Sequence, residues 1–182
     1  MRDEQQSETR PEQVMDLSPN TERFRKVMSR FATGVAIVTT RTDHHIHGMT
    51  CNAFCSISIS PMSILVSLAK ETRTEKMIKV GRVFAVNVLS ETQTWLSDRF
   101  AGRHPEHEGN RYRGVQWRVA TTGAPILLGS QAFLDCRLVK VVDCDTHTLF
   151  LGSVVAIYAD ESQRPLIFFQ SHYMGLDSLR LL

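Results

Sequence analysis

Arg73 and Thr74 stand at the start of a segment with helical character, and together they could bind a phosphate. The first turn of a helix presents backbone N–H groups without intrahelical acceptors and the positive end of the helix dipole. A guanidinium and a hydroxyl there add donors that suit phosphate oxygens. Residue types alone favour the plainer alternative, a capped helix with a solvated arginine, so the phosphate site needs support from elsewhere in the chain.

The stretch Gly48–Phe54 (GMTCNAF) is a second candidate, because it places a glycine and an asparagine within a strand-like segment. Asparagine disfavours strands unless its side chain has a partner. Backbone amides beside a glycine can approach a flat ring closely and bond its carbonyls and nitrogens. The alternative is an ordinary edge strand that ends at a turn.

His147 precedes the apolar run Thr148–Gly152 (TLFLG), and Phe168–Tyr173 (FFQSHY) ends the last apolar strand with aromatic and polar residues. Beside a redox ring, an imidazole could orient a nicotinamide or protonate a flavin. The aromatic residues could form a wall on which a ring stacks. The alternatives are a turn histidine bonded to the backbone and a stripe of core aromatics.

The sequence lacks the motifs of several common sites. It has no G-x-S-x-G nucleophile elbow, no P-loop and no G-x-G-x-x-G fingerprint. No cysteine or carboxylate pattern completes the cluster His44-His45-Ile46-His47, and adjacent strand residues point to opposite faces. A solvated turn is therefore favoured over a metal site, and no metal is predicted.

Helical periodicity is confined to short segments. An amphipathic helix is predicted after Ser18-Pro19, with its apolar stripe at Phe24, Val27, Met28 and Phe31. Further helices are predicted over 72–81 and over 90–101, the latter with Trp95, Leu96 and Phe100 on one side, and residues 102–114 are expected to form a long polar loop.

Period-2 and β-branched runs predict a mainly β protein. About eight strands are predicted, at 35–40, 46–54, 55–60, 63–68, 83–89, 131–142, 148–159 and 166–169. Because most strands follow one another without helical crossovers, an antiparallel barrel that is closed or nearly closed is the economical arrangement.

Charge is distributed unevenly along the 182 residues. The whole chain has 21 basic and 19 acidic residues, a net charge of +2, which gives no argument for nucleic acid. Residues 1–22 hold two basic and six acidic residues (−4), so the remainder holds 19 against 13 (+6). We expect residues 1–20 to be a disordered acidic leader and 21–182 to be one domain that suits anionic ligands.

Membrane and secretory classes are excluded by composition. No apolar run approaches the length of a membrane-spanning helix, and the polar N-terminus does not resemble a secretory signal. The four cysteines have no CxxC spacing and lie in or beside apolar stretches. Reduced, mainly structural thiols in a cytoplasmic protein are therefore expected.

Several of these segments occur together in an order and spacing that resembles the flavin reductase-like domain family. They are Phe31–Val35 (FATGV), Gly48–Phe54, Phe84–Leu89 (FAVNVL), Phe100-Ala101, Gly123–Pro125, His147–Gly152 and Tyr173. The resemblance runs from about Phe24 to Leu176. It implies an FMN-binding split barrel, an antiparallel barrel of Greek-key type with a few short helices, which agrees with the strand pattern, and an intertwined homodimer.

The resemblance also implies an activity, the NAD(P)H-dependent reduction of FMN or FAD by hydride transfer to flavin N5. Reduced flavin would be supplied to a partner flavin-dependent monooxygenase. The flavin-binding residues implied are Gly48, Met49, Thr50, Cys51, Asn52, Ala53, Ser67, Leu68, Ala69, Arg73, Thr74, Arg99, Phe100 and Ala101. Arg73 and Thr74 would hold the phosphate, and the Cys51 thiol would face the flavin without a catalytic role. His147, as the catalytic residue, and His172 and Tyr173 would contact the nicotinamide.

Two other functions stay open at this point. A non-enzymatic flavin- or haem-binding protein on the same barrel needs the same ring and phosphate sites, and access to the ring face would distinguish it. An oxidase of the pyridoxamine-phosphate type needs a second cationic phosphate site, and no second cluster is evident in the sequence. The choices between FMN and FAD and between NADH and NADPH are left undecided.

Overall fold

The structure, a computed structural model, describes residues 18–176. Three α-helices are present in this range: α1 (Thr21–Met28), α2 (Arg73–Gly81) and α3 (Thr94–Phe100). The strands are β1 (Thr33–Gly34), β2 (Ala36–Arg41), β3 (Ile46–Cys51), β4 (Phe54–Ile59), β5 (Met62–Ala69), β6 (Val83–Val88), β7 (Trp117–Val119), β8 (Pro125–Leu127), β9 (Ala132–Cys144), β10 (His147–Ala159), β11 (Ile167–Phe169) and β12 (His172–Met174). Most of the predicted leader lies outside the described residues.

Seven strands form one antiparallel sheet in the order β3-β2-β6-β9-β10-β5-β4. The two edge strands, β3 and β4, follow each other in the chain with only Asn52 and Ala53 between them. Two residues span at most about 7 Å, so the sheet must curl until its edges meet at this end. The edges are not paired with each other, so the strand pattern's prediction of a nearly closed antiparallel barrel is confirmed, and the open seam agrees with the split barrel that the resemblance implied.

The barrel interior is filled by buried side chains from six strands, β2, β3, β5, β6, β9 and β10, and from α2. Val38, Val66, Phe84 and Phe150 are completely buried and belong to one hydrophobic cluster. A second cluster lies outside the barrel, where α3 and the 102–114 loop pack against Ile37 and neighbouring residues. This outer cluster fixes α3 and the loop beside β3.

Additional short strands make up the difference between the eight predicted and the twelve observed. β1, β11 and β12 form a three-stranded sheet, and β7 pairs with β8. In the β11–β12 turn, Gln170 and Ser171 have positive φ values of 50° and 65°. The sequence does not predict this hairpin turn, because neither residue is a glycine.

The first helix departs from its prediction in two ways. It begins at Thr21, because Asn20 is the N-cap and its side chain accepts from the Arg23 N–H at 2.9 Å. Its apolar stripe does not pack on the core: Phe24, Val27 and Phe31 are each about two-thirds exposed. An amphipathic pattern identifies an apolar helix face that is normally buried against other residues. Within residues 18–176, nothing covers this face of α1.

The two later helices are close to their predictions. Thr72 caps α2, accepting from the Glu75 N–H at 3.4 Å. The predicted 90–101 helix is divided into a 3-10 turn, Glu91–Gln93, and α3, where the Ser90 N–H donates to Gln93 Oε1 at 3.2 Å. Trp95 was predicted on the apolar side and is instead 46% exposed. No helix of the described chain is long and apolar enough to cross a membrane.

Candidate functional site

A cavity of about 510 Å³ opens where the N-terminus of α2 meets β3 and the 102–114 loop. Its walls carry three basic or hydroxyl-bearing groups from α2 and its cap, together with groups from β3, α3 and the loop. The lining residues are His47, Met49, Thr50, Thr72, Arg73, Thr74, Phe100, Ala101, Glu108 and Arg111.

The α2 end of the cavity is formed by the helix that the sequence predicted over 72–81. Thr72 stands outside the helix as its cap, so the first amides of α2 have no intrahelical acceptor. Thr74 is completely buried, and its Oγ1 lies 2.8 Å from Nδ1 of His47. Arg73 is exposed at the rim. The arrangement gathers donors and positive charge at one point.

Arg111 brings a second guanidinium to the same cavity from the opposite side. Its Nη1 donates to the carbonyl oxygens of Phe100 (2.8 Å) and Gly48 (3.2 Å). The next residue, Tyr112, is buried, and its hydroxyl donates to the carbonyl of His47 at 3.1 Å. These bonds attach the loop to β3 and α3, and the loop thereby holds Arg111 against the cavity.

His47 faces the cavity as a neutral imidazole. Burial, followed by the charges of Arg111 and Arg73, lowers the pKa of His47 to about 4. Burial also lowers the pKa of the Arg111 guanidinium from its ordinary value. Within the described chain, neither Arg73 nor Arg111 forms an ion pair with a carboxylate. The local excess of positive charge therefore fits an anionic ligand group such as a phosphate.

A shallow groove of about 150 Å³ adjoins the cavity and shares Thr50 and Ala101 with it. It follows the end of β3 towards the β11–β12 hairpin. Its lining residues are Val35, Thr50, Cys51, Asn52, Ser97, Ala101, Arg103, Phe168 and Tyr173. Cavity and groove form one continuous depression, with the charged end at α2 and the aromatic end at Tyr173.

β3 supplies the floor that joins the two ends. Gly48 allows the Phe100 ring to lie against the strand, because a Cβ at this position would stand only 3.0 Å from that ring. Thr50 donates to the carbonyl of Ser97 at 2.6 Å, which binds α3 to the strand. Asn52 is exposed, and its Nδ2 reaches Thr33 Oγ1 at 3.3 Å. The asparagine side chain thus has a partner at the end of the strand.

Cys51 turns towards the barrel interior. Its thiol is buried and donates to the carbonyl of Ser67 at 3.6 Å. Burial raises the pKa of the Cys51 thiol to about 11. A thiol with such a pKa stays protonated at neutral pH and is a poor nucleophile.

Tyr173 is fixed at the aromatic end by α3. Its hydroxyl donates to Asp98 Oδ1 at 2.8 Å and lies 2.9 Å from Ser97 Oγ. Arg103 pairs with the same carboxylate at 2.6 Å and places its guanidinium over the tyrosine ring, 5.9 Å from the ring centre. This network holds the ring of Tyr173 in one orientation beside the groove.

Some predicted residues lie away from this depression. Arg99 stacks on Trp95 and donates to the carbonyl of Arg113 at 2.9 Å, outside the cavity. His147 and His172 are exposed and line neither the cavity nor the groove. Ser67, Leu68 and Ala69 also lie outside the two linings, and Leu68 is buried in the barrel core.

The structure adds four residues to the cavity that the sequence does not predict there: His47, Thr72, Glu108 and Arg111. His47 had been interpreted as part of a solvated turn, which holds for His44 and His45 only. No pattern in the polar 102–114 segment predicts that Arg111 lines the cavity, because the position of its side chain depends on how the loop packs. Over residues 18–176, no three His, Cys, Asp or Glu side chains come together as metal ligands.

Known proteins resemble this chain in sequence and in fold. Reductase subunit HsaB of a flavin-dependent monooxygenase from Rhodococcus jostii is 36% identical over 155 residues, covering 85% of this chain and 77% of that protein. An FMN reductase (NADH), RutF, from Ancylobacter novellus is 36% identical over 152 residues, covering 84% and 83%. The solved structure of flavin reductase PheA2 is 37% identical with a TM-score of 0.80, covering 87% of this chain and 99% of that one.

The match to a family model is equally extensive. Residues 28–177 match the flavin reductase like domain, a range that contains the whole barrel, the cavity at α2 and the groove beside Tyr173. The chain therefore belongs to the flavin reductase like domain family.

Proposed function

We propose that this protein reduces FMN or FAD with NADH and passes the reduced flavin to a monooxygenase component. The observation that carries the proposal is the continuous depression from Arg73 and Arg111 to Tyr173, in a chain that belongs to the flavin reductase like domain family. The relatives' names support the same activity: one is an FMN reductase (NADH) and another is the reductase subunit of a flavin-dependent monooxygenase.

The flavin phosphate is assigned to the charged end of the depression. Arg73 supplies an exposed guanidinium, and the free amides of the first α2 turn supply oriented donors. Thr74 adds a hydroxyl whose position is set by His47. Two guanidiniums without carboxylate partners give this end the charge that a phosphate needs.

The flavin ring is assigned to the split in the barrel, along Thr50–Ala53. The ladder of β3 ends at Cys51, so the backbone of Asn52 lies outside the strand pairing and can bond a flat heterocycle, whereas the Ala53 carbonyl accepts from the Ser67 N–H at 2.9 Å. Bound flavin supplies the redox chemistry: a hydride from NADH C4 reaches flavin N5, and one proton completes the reduced flavin as NAD⁺ forms. The protein's task is to hold both rings in contact and to exclude side reactions.

The nicotinamide is assigned to the side of the depression that Tyr173 borders. The network with Asp98 and Arg103 fixes this ring, which suits a stacking surface. The nicotinamide contacts expected for His147 and His172 stay predictions, because both side chains lie outside the depression. Cys51 has no chemical role in this proposal, because its thiol stays protonated.

The oxidase alternative of the pyridoxamine-phosphate type requires two separate phosphate sites. Arg111 is a second cation, but it converges with Arg73 on one cavity. The described residues thus support one phosphate site with two guanidiniums, which favours a reductase that binds a single flavin nucleotide in this depression.

Assembly and location are also part of the proposal. A homodimer is supported by the many large apolar side chains that the single chain leaves exposed, including Ile57, Val139 and Ile157. A cytoplasmic location is supported by the four free cysteines, which suit a reducing compartment, and by the use of NADH.

Anaerobic mixing of the protein, FMN and NADH tests the activity directly. We expect the visible absorbance of oxidised flavin to disappear at a rate proportional to protein concentration, as one NAD⁺ forms per flavin reduced. Parallel reactions with FAD, and with NADPH, determine which nucleotides are used, and flavin with NADH but without protein is the control. Flavin that binds but is not bleached by either nucleotide would show a binding protein instead of a reductase.

A further inference from the structure

The geometry points to Arg111 as a second phosphate-binding guanidinium, which makes this site select phosphorylated flavins over riboflavin. The inference rests on the proposed function, since it concerns the same flavin site. It adds Arg111, a residue of the 102–114 loop, to the phosphate-binding groups that α2 supplies.

Arg111 presents an unused pair of donors. A guanidinium has five N–H groups, and Nη1 is occupied by the carbonyls of Phe100 and Gly48. Nε is buried without an acceptor, and Nη2 has no hydrogen-bond partner in the described part of the chain. Nε and Nη2 lie on the same edge of the guanidinium and form the parallel fork that matches two oxygens of one phosphate.

The charge of Arg111 is also uncompensated. Burial disfavours a cation, and the neighbouring Arg73 adds like-charge repulsion, which together outweigh the attraction from Glu108 in the pKa of Arg111. Glu108 lines the same cavity but makes no ion pair with either arginine in the described chain. A partly buried cation such as Arg111 is less favourable without a counter-ion, and a phosphate between the two guanidiniums would neutralise both.

The loop holds this guanidinium in advance of binding. Tyr112 packs edge-on against Phe100 with ring centres 5.2 Å apart, and its hydroxyl bonds to β3. With the two carbonyl bonds of Nη1, Arg111 is fixed on both sides. Little rotamer freedom is therefore lost when an anion arrives, so the fork gains affinity that a free surface arginine would not.

The remaining donors of the cavity identify the anion as a phosphate. The α2 amides and the Thr74 hydroxyl approach from one side, Arg73 from the rim and Arg111 from the loop. A carboxylate has two oxygens and would leave most of these donors unpaired, whereas a phosphate has enough oxygens for all of them. FMN and FAD share this group, and riboflavin lacks it.

Equilibrium titrations of riboflavin, FMN and FAD, followed by quenching of flavin fluorescence, test the assignment. We expect Arg111→Gln to raise the Kd for FMN and FAD about 10-fold to 100-fold, the range of a charge-assisted hydrogen bond, and to leave that for riboflavin within about 2-fold. Arg73→Gln should give the same pattern. Arg113→Gln removes the same charge from an exposed position in the same loop and should change none of the three.

Arg111→Lys adds a finer comparison, because it keeps the charge and loses the fork. We expect its FMN affinity to fall between those of the wild type and Arg111→Gln. Retained riboflavin binding shows that each variant is folded.

Two results would overturn the inference. An equal loss of riboflavin and FMN binding in Arg111→Gln would mean that Arg111 only supports the Gly48 and Phe100 carbonyls. Unchanged FMN binding would mean that it does not touch the phosphate. Both are distinct from failure of the proposed function, which would appear as wild-type protein that cannot bleach FMN with NADH.

Discussion

His47 lies between two arginines and a buried hydroxyl. Its imidazole is neutral because burial and the charges of the two arginines disfavour the protonated form. The charged and titratable groups that line its environment are Arg73, Arg111, Glu108 and the Tyr112 hydroxyl. Its pKa is about 4 in the folded protein against an ordinary value of 6.5. The unfolded chain therefore binds more protons than the folded chain between these two values.

This difference predicts a pH dependence of stability. Above pH 6.5 the neutral imidazole carries no penalty; as the pH falls towards 4, protonation favours the unfolded state and the free energy of unfolding drops. After allowance for solvent screening, the loss due to His47 should be about 1–2 kcal/mol. Urea denaturation of the wild type and His47→Gln at pH 7 and pH 5 measures it, and the difference between the two proteins should change across that interval. His44→Gln, which removes an exposed turn histidine, is the control, and parallel curves for the wild type and His47→Gln would contradict the prediction.

The residues differ in how far sequence alone could place them. Arg73 and Thr74 could be predicted, because an N-cap and the first helical turn are local patterns and define their own donors. His47 and Arg111 could not, since their roles depend on contacts between β3, α2 and a loop without periodicity. Arg99 illustrates the same limit: it is adjacent to the buried Phe100, yet its side chain turns out towards Trp95.

At the scale of elements, α2 positions the charged end of the site through both of its termini. Its N-terminal turn forms the cavity wall, and its C-terminal residue, Gly81, lies directly against the carbonyl of Arg41 in β2. Between them, buried Glu75 accepts from Thr148 at 2.7 Å and pairs with Lys79, which ties the helix to β10. The helix is thus wedged between two strands of the barrel.

The contact at Gly81 predicts the effect of one added methyl group. In Gly81→Ala, the new Cβ would overlap the Arg41 carbonyl oxygen, which is backbone and cannot rotate away. We expect destabilisation of roughly 2–3 kcal/mol, at the upper end of overpacking effects, measured as a lower urea midpoint. Gly109→Ala, where a Cβ meets no atom within 4 Å, is the matched control. Equal stability of the two variants would show that α2 is free to shift.

The sequence predicted elements correctly where a hydrophobic pattern extends over many residues. It could not predict which surface an apolar face packs against, nor strands of two or three residues. β9 and β10 lie within two residues of their predicted ends, because alternation over a dozen residues leaves little choice of register. The α1 stripe was equally clear, but a periodic stripe does not say which surface it covers. The short strands β1, β7, β8 and β12 have too few residues for any period to emerge.

For the whole molecule, the order of strands determines where the proposed flavin site can form. A seven-stranded antiparallel sheet whose edge strands are consecutive in the chain must close where residues 52–53 join them, and within residues 18–176 the seam between β3 and β4 is left unpaired. This closure followed from the absence of helical crossovers in the sequence. The seam is also where the backbone of Asn52 lies outside the strand pairing, so the closure of the barrel and the position of the proposed site have a common cause.

The exposed apolar surface of the single chain predicts a second copy. Four apolar side chains on the strands are each more than a third exposed: Ile57, Val139, Val155 and Ile157. An exposed apolar surface of this kind marks a protein interface. Sedimentation equilibrium should give twice the chain mass, and Ile157→Asp should lower it towards one chain, because a charge at a buried interface must be desolvated. Val80→Asp, on the outer side of α2 where the valine is 73% exposed, should sediment as a dimer. A wild-type monomer would refute the dimer, whereas a dimeric Ile157→Asp would exclude this β10 face and direct the search to the open stripe of α1.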